Sequence, residues 1–284
     1  MNYVPCSERT FRTSLADAFA NQARVYLVWL KTLLQRLGRE PALTLWEETF
    51  RHYDETLLVQ ILSLGWQPSE KKADPEQNLN EALDELFREP VEAVTRDVAQ
   101  RLLEDTPPFR QIRTRFPTLS VERPITTYEG LHLFRDALAY LAEALLDRYG
   151  KQGELIAYDA LVELWPQRSE PRGSAAEYLA RRAGRFRRPP QELDIFSAGL
   201  QVELVRASET EVVTRVVECE WARYFLERHP RVGYLLACSV DNAAYRSFND
   251  RLRLQRTSTL MEGGNECDFR VYITTGTSDE ASQP

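Results

Sequence analysis

The chain has 284 residues and a formal net charge of −7 at pH 7, and 43% of its residues are hydrophobic. It has no run of about 18 apolar residues, which argues against a membrane-spanning helix, and its negative charge argues against a nucleic-acid-binding protein. Four cysteines are too few for a disulfide framework at this length. Because the N-terminus also lacks the pattern of a signal peptide, we expect a cytoplasmic protein.

The first part of the chain, residues 1–115, is predicted to be a helical N-terminal region. Apolar residues recur at helical spacing over 21–38, and Pro41 begins a second predicted helix that ends before Gly65. A polar loop follows over 66–80. A further helix is predicted over 81–104, and the proline-rich stretch 105–126 is predicted to be irregular.

The second part, residues 116–284, is predicted to be an α+β domain that begins with helices over 127–148 and 154–164. Seven arginines then occur between Arg168 and Arg188. They indicate either a charged loop around one short amphipathic helix or a basic rim that attracts an anionic ligand or partner. The last ten residues, 275–284, have the composition of a disordered tail.

From residue 200 the hydrophobic pattern changes from helical spacing to alternation. Strands are predicted over 200–207 and 211–218, helices over 219–228 and 233–248, and strands over 252–261 and 267–274. The predicted fold class is therefore α+β. A helical N-terminal region precedes a ββααββ unit, with a small antiparallel sheet and helices packed on it.

Cys219 is predicted to lie where the second of these strands passes into a helix. Amide groups at a helix N-terminus carry partial positive charge and lower the pKa of a thiol, as a cysteine nucleophile requires. The alternative is a small apolar residue at a tight junction.

A second group of candidate residues shares one face of the predicted helix 233–248. Cys238 and Asp241 are three residues apart, and Tyr234 and Tyr245 extend the same face by one turn each way. This stripe is more polar than a plain core face and indicates the wall of a cavity, although Cys238 alone is equally compatible with core packing.

Alternation in the last strand places Cys267 on the face that points toward the core, whereas Asp268 and Arg270 point to the other face. With Arg256 on the preceding strand, these charges predict either a cross-strand ion pair or a grip on a substrate carboxylate. Three thiols also permit a metal site, with Cys219, Cys238 and Cys267 as ligands, but the paired cysteines typical of zinc sites do not occur.

These residues carry a resemblance to a known family. The chain reads CEWA from Cys219, then HPRVGYLLACSVDNAAYRSFN, then LQRTSTLMEGGNECDFRV, and this order resembles the bacterial L-2-amino-thiazoline-4-carboxylic acid hydrolase family. The resemblance extends over about 200–273. The matching positions are Cys219, Cys238, Asp241, Asn249, Arg256, Thr257, Glu262, Gly263, Cys267, Asp268, Phe269 and Arg270.

The resemblance implies a hydrolase that opens a C–N bond of a cyclic amidine such as a 2-aminothiazoline carboxylate. Cys219, or failing that Cys267, would be the thiolate nucleophile, and Asp241 or Glu262 would hold the amidinium and move protons. The resemblance implies Cys238, Asn249, Arg256, Glu262 and Arg270 as substrate-binding residues, with an arginine on the carboxylate, and the polar helix face adds Tyr234 and Tyr245 to this predicted set.

Two alternatives remain open. In the first, Cys219, Cys238 and Cys267 bind zinc or iron, and a metal-activated water attacks the substrate. In the second, the protein is a non-catalytic ligand- or partner-binding module, because the family in turn resembles vinyl-reductase-like domains. We expect a small-molecule substrate and neither a membrane nor a nucleic-acid partner, and a homodimer is compatible with the sequence.

Overall fold

A computed structural model describes residues 4–13, 15–64, 122–165, 172–187 and 195–274 of the chain. Three predicted features lie wholly outside these residues: the loop over 66–80, the helix over 81–104 and the tail over 275–284. The stretch over 105–126, predicted to be irregular, lies outside them up to residue 121 and ends in a short strand, Arg123–Thr126. Within the described ranges, no helix is long and apolar enough to cross a membrane.

The described helices and strands follow one another in a mixed order. The helices are α1 (Leu15–Leu37), α2 (Arg39–Ser63), α3 (Thr127–Tyr149), α4 (Lys151–Glu163), α5 (Ala175–Arg187), α6 (Ile195–Gly199), α7 (Glu220–Arg228), α8 (Gly233–Ala237) and α9 (Asp241–Phe248). The strands are β1 (Thr10–Thr13), β2 (Arg123–Thr126), β3 (Leu200–Ala207), β4 (Glu211–Cys219), β5 (Leu252–Gln255) and β6 (Cys267–Ile273).

The chain divides into two compact units. The helical unit comprises Arg12–Ile125 and Glu129–Ala160, and the α+β unit comprises Met1–Phe11, Thr126–Tyr128 and Leu161–Pro284. Most of α3 and α4 therefore belongs to the helical unit. The predicted domain boundary at 115/116 falls outside the described residues and stays a prediction.

The helical unit is held by large apolar side chains between its helices. Tyr26 of α1 meets Phe50 of α2 edge to face, with ring centroids 5.1 Å apart, and Trp29 and Leu33 are fully buried. Gly38 connects the two helices with a φ of +80°, a backbone conformation that favours glycine. The second helix consequently begins at Arg39, two residues before the position predicted from Pro41.

The α+β unit contains a four-stranded antiparallel sheet with the order β3-β4-β6-β5. Val212 of β4 lies opposite Val271 of β6 in the register. Both are fully buried and pack with Leu179 of α5 and Tyr245 of α9, which places these two helices on the sheet. The structure confirms the predicted α+β class, with an antiparallel sheet and helices packed on it.

Two predicted elements are shorter than expected. The predicted helix 233–248 is two helices, because the N–H groups of Cys238 and Ser239 both bond to the Tyr234 carbonyl and Ser239 Oγ donates to the Leu235 carbonyl at 2.6 Å. Such local side-chain bonds compete with a continuous helix. The predicted strand 252–261 ends at Gln255 and gives way to a short 3₁₀ turn over Leu260–Glu262.

Candidate functional site

The side chain of Arg256, just beyond the end of β5, is the centre of the candidate site. Its Nη1 donates to Asp241 Oδ2 at 2.5 Å, and its Nη2 donates to the Cys238 carbonyl at 3.1 Å and to the Tyr234 hydroxyl at 3.4 Å. The guanidinium also lies over the ring of Phe269, with Cζ 5.2 Å from the ring centroid. One arginine thus joins three of the four members of the predicted polar stripe.

Asp241 begins α9 and is only partly enclosed. One carboxylate oxygen is held by Arg256, whereas Oδ1 accepts no hydrogen bond from the described part of the chain. Its side chain is 30% exposed, compared with 8% for Arg256. Burial raises the pKa of Asp241 above its ordinary value, although the positive charge of Arg256 opposes this rise. The arrangement leaves one oxygen free to bind a ligand or exchange a proton.

Asp268 fixes the backbone that carries Arg256. Its Oδ1 accepts from the N–H groups of Thr257 at 2.8 Å and Ser258 at 2.6 Å, and its Oδ2 accepts from the Thr257 hydroxyl at 2.7 Å. Burial acts to raise the pKa of Asp268, but these hydrogen bonds outweigh it and hold the pKa below its ordinary value. The predicted ion pair between Asp268 and Arg270 is therefore replaced by a carboxylate that shapes a loop.

Cys219 occupies the position that the sequence predicts but does not have the predicted ionisation. It is the N-cap of α7, and its Sγ accepts from the Ala222 N–H at 3.4 Å. Burial nevertheless raises the pKa of the thiol to about 12, because desolvation of the thiolate outweighs the hydrogen bonds from the helix N-terminus. The expectation of a lowered Cys219 pKa is wrong.

The same cause raises the pKa values of the other thiols. Burial is the largest contribution to the raised pKa values of Cys238, Cys267 and Cys6. The cysteines also influence one another: Cys267 and Cys6 raise the pKa of Cys219, and Cys219 and Cys267 raise that of Cys238. Cys219, Cys238 and Cys267 thus lie within electrostatic range of one another, and Cys238 and Cys267 also lie within range of Asp241.

This proximity does not create a metal centre. Over the described ranges, no group of three or more His, Cys, Asp or Glu side chains is arranged to hold a metal ion. Cys267 Sγ instead accepts a hydrogen bond from the Leu260 N–H at 3.2 Å. The geometry therefore gives no support to a zinc or iron site formed by Cys219, Cys238 and Cys267.

Other predicted binding residues have partners within the fold. Asn249 is buried, donates to the Gly173 carbonyl at 3.0 Å and accepts from the Arg251 N–H at 3.0 Å. Glu262 is exposed, and its carboxylate accepts from the Thr259 hydroxyl at 2.7 Å. Its backbone N–H donates to the same hydroxyl at 3.1 Å, which makes Thr259 the N-cap of the short 3₁₀ turn. These contacts stabilise turns, and the ligand-binding roles of Asn249 and Glu262 stay predictions.

Arg270 and Tyr245 also depart from the predicted arrangement. Arg270 is exposed, with Nε donating to Glu211 at 2.7 Å and Nη1 donating to Gln255 at 2.9 Å. Tyr245 is a member of the buried cluster between α9 and the sheet, and burial raises the pKa of its hydroxyl. Of the two arginines predicted to bind a carboxylate, only Arg256 lies beside Asp241.

Sequence reasoning did not single out Arg182. This arginine of α5 lies over the Tyr245 ring, with Cζ 5.2 Å from the ring centroid, and its charge lowers the pKa of Asp241 against the effect of burial. The arginine-rich stretch from Arg168 to Arg188 was the available signal, but it could not indicate which of seven arginines faces Asp241.

A comparison with protein families gives one match. The model described as L-2-amino-thiazoline-4-carboxylic acid hydrolase matches residues 130–271, which is half of the chain. The matched range includes Arg182, Cys219, Cys238, Asp241 and Arg256. No curated protein and no solved structure matches the chain.

Proposed function

Because the chain belongs to the L-2-amino-thiazoline-4-carboxylic acid hydrolase family, we propose that it hydrolyses a ring C–N bond of a cyclic amidine such as a 2-aminothiazoline carboxylate. The observation that carries this proposal is the asymmetric environment of Asp241. Arg256 holds Oδ2, and Oδ1 has no partner among the described residues. A protonated amidine presents N–H donors that match such an oxygen.

Asp241 is the residue proposed to exchange protons with the substrate. Burial raises its pKa from the ordinary value toward the working pH range, which improves a carboxylate as a general base and its protonated form as a general acid. Arg256 is the positioning residue, because its contacts with Asp241 and with the Cys238 carbonyl fix the carboxylate between α8 and α9. Asp268 supports this arrangement through the loop that follows Arg256.

The proposed reaction adds one water to the amidine carbon. The water oxygen bonds to that carbon while Asp241 accepts one of its protons, and the C=N double bond becomes a single bond. Collapse of the tetrahedral intermediate then forms the carbonyl group and breaks the bond to the ring nitrogen. As that bond breaks, Asp241 gives its proton to the ring nitrogen. The carboxylate then takes the hydroxyl proton that carbonyl formation releases and passes it to the same nitrogen, so both water hydrogens end on the product amine, and the product is an S-carbamoyl (thiocarbamate) amino acid.

The raised pKa values of the thiols favour water over a thiolate as the nucleophile. A Cys219 pKa of about 12 leaves a very small thiolate fraction at neutral pH. In the covalent alternative, Cys219 or Cys267 attacks the amidine carbon and water later releases the carbamoyl product. Replacement of Cys219 by alanine separates the routes, because only the covalent route through Cys219 requires its sulfur.

A second candidate function is ligand binding without turnover, as in vinyl-reductase-like domains. The observation that favours it is the internal pairing of Asn249, Glu262 and Arg270, each of which has a structural partner. In this function the Asp241–Arg256 pair would be a structural contact. Such a protein would bind its ligand and leave it chemically unchanged.

The test is to incubate the purified full-length chain with 2-aminothiazoline-4-carboxylate and to follow the products by mass spectrometry. The proposal predicts a carbamoyl-cysteine product with one oxygen from ¹⁸O-labelled water. Retention of activity within about tenfold by Cys219→Ala supports the water route, whereas a loss of about 10³-fold or more supports the covalent route. Tight binding of the ring without any product would overturn the hydrolase proposal in favour of the binding module.

A further inference from the structure

Arg182 lies next to the candidate site without being part of the Asp241–Arg256 pair. It comes from α5, which packs on the same side of the sheet as α9. Its guanidinium lies over two aromatic rings, with Cζ 5.2 Å from the Tyr245 ring centroid and 5.0 Å from that of Phe186. These contacts orient a planar cation without using its N–H groups.

The hydrogen-bonding capacity of Arg182 is unused in the described residues. Its Nε is buried and has no hydrogen-bond partner among the residues that the structure describes, and none of their carboxylates forms an ion pair with the guanidinium. Arg256 and Arg270 differ from it, because Arg256 is paired with Asp241 and Arg270 with Glu211. A positive charge that is partly buried and lacks an acceptor is suited to an anionic ligand.

The ring of Tyr245 connects Arg182 to Asp241. Tyr245 follows Asp241 by four residues on α9, so both side chains lie on the same face of that helix. Because Arg182 lies over this ring, its charge acts on the Asp241 carboxylate and lowers the Asp241 pKa against the effect of burial. An acidic group on α9 and, on α5, a basic group that pairs with no carboxylate of the described residues therefore lie close enough for the charge of Arg182 to act on Asp241.

We propose that Arg182 binds the carboxylate of the substrate while Asp241 binds its amidinium group, an inference that rests on the proposed function. A 2-aminothiazoline carboxylate carries a positive amidinium and a negative carboxylate on one small ring. The negative carboxylate of Asp241 complements the amidinium, and the positive guanidinium of Arg182 complements the substrate carboxylate. Arg182 would thus select carboxylated cyclic amidines over the same ring without the carboxylate.

The experiment compares equilibrium binding of two probes, 2-aminothiazoline-4-carboxylate and 2-aminothiazoline, by calorimetry on the full-length chain. The wild type is expected to bind the carboxylated ring more tightly. Arg182→Gln is expected to weaken binding of that probe about tenfold to a hundredfold and to leave the other probe unchanged. Arg182→Lys, which keeps the charge, is expected to restore part of the difference.

The matched control is Arg181→Gln, which removes the same charge from the neighbouring position on α5. Arg181 is exposed and lies over the Phe248 ring, so this variant is expected to bind both probes as the wild type does. If Arg182→Gln weakens the binding of both probes equally, Arg182 has a structural role and the inference is overturned. Unchanged affinity for the carboxylated ring would also overturn it.

Turnover assays on the same samples separate this inference from the proposed function. If the wild type forms product but Arg182→Gln changes neither probe binding nor KM, only the role of Arg182 is overturned. If binding of the carboxylated ring depends on Arg182 but no variant forms product, only the hydrolase proposal is overturned, and the carboxylate site is supported.

Discussion

Arg256 donates from Nη1 to Asp241 Oδ2 at 2.5 Å, and the same guanidinium donates to the Cys238 carbonyl one turn earlier in the chain. The pair therefore joins the end of α8 to the start of α9. Because the contact uses only one oxygen of Asp241, it orients the carboxylate and leaves the other oxygen available. The proposed chemistry depends on this geometry.

Replacement of Arg256 by lysine is expected to lower kcat/KM about 10- to 100-fold, because misplacement of a reacting group by about 1 Å has an effect of this size. A single ammonium group does not reach Asp241, the Cys238 carbonyl and the Tyr234 hydroxyl together as the guanidinium does. Steady-state kinetics measure the effect. Arg215→Lys is the control, because Arg215 forms an exposed ion pair with Glu203 on the sheet, and this variant is expected to keep the wild-type kcat/KM. A wild-type kcat/KM in Arg256→Lys would refute the positioning role.

The pH dependence of kcat/KM reports on Asp241. A general base must be ionised, so activity is expected to fall as the pH drops through the Asp241 pKa. Burial raises that pKa, so the midpoint is expected above the ordinary aspartate value of about 3.9. Arg256→Gln removes a charge that lowers this pKa and is expected to move the midpoint higher. A midpoint that moves lower in this variant, or no acid limb at all, contradicts the assignment.

The raised pKa of the Cys219 thiol predicts that the folded chain loses stability against unfolding at alkaline pH. Its pKa is raised to about 12 in the folded chain, whereas an unfolded cysteine ionises near about 8.5. The folded state is therefore stabilised fully below about pH 8.5, and this stabilisation declines as the pH rises toward 12 because only the unfolded chain loses the proton. Urea unfolding at pH 7 and pH 10 measures the decline.

Cys219→Ala provides the comparison for that measurement. Removal of the titrating group is expected to make the decline between pH 7 and pH 10 smaller than in the wild type, although Cys6, Cys238 and Cys267 still contribute. An equal decline in the two proteins would show that Cys219 has an ordinary pKa in the folded state. The helix N-terminus would then offset the effect of burial on the Cys219 pKa.

Asp268→Asn is expected to destabilise the fold by about 1–2 kcal/mol, because it removes charge-assisted hydrogen bonds to Thr257 and Ser258. The pKa of Asp268 is lowered in the folded state, so its contribution is complete above the unfolded value of about 3.9 and is lost as the pH falls through the folded pKa. The difference from the wild type should therefore shrink at low pH. Denaturant melts at pH 7 and pH 3 test this.

Asp250→Asn is the matched control for Asp268→Asn, because it makes the same chemical change at an exposed position. It is expected to unfold with the wild-type midpoint at both pH values. If Asp268→Asn has the wild-type midpoint at pH 7, the carboxylate does not hold the loop that carries Arg256.

Local sequence pattern predicts the elements of the α+β unit well. Alternation identifies β3, β4 and β6, and the position of Cys219 at the start of α7 follows from the change of period at that residue. The break between α8 and α9 was missed because it depends on the Ser239 hydroxyl, which bonds to the Leu235 carbonyl and competes with the helix. The end of β5 was missed because Asp268, from another strand, takes the N–H groups of Thr257 and Ser258.

The site could be predicted only in part, because strand register and burial decide which side chains pair with one another. Tyr234, Cys238, Asp241 and Arg256 were identified as candidates, and the structure connects them. Arg270 pairs with Glu211 because the register of β4 and β6 places Arg270 opposite Val213, two residues along β4 from Glu211, which no local pattern reveals. The pKa of Cys219 follows from burial by the whole unit, so the helix position alone gave the wrong direction.

The most direct test of the account is the rate of ring opening of 2-aminothiazoline-4-carboxylate by the wild type, Asp241→Asn and Asp250→Asn at one pH. Removal of a general acid–base group lowers the rate about 10²- to 10⁴-fold, so the account predicts such a loss in Asp241→Asn and a wild-type rate in the exposed Asp250→Asn. Circular dichroism and thermal unfolding of each variant confirm that it is folded. Ring opening by folded Asp241→Asn at the wild-type rate would contradict the central role of Asp241.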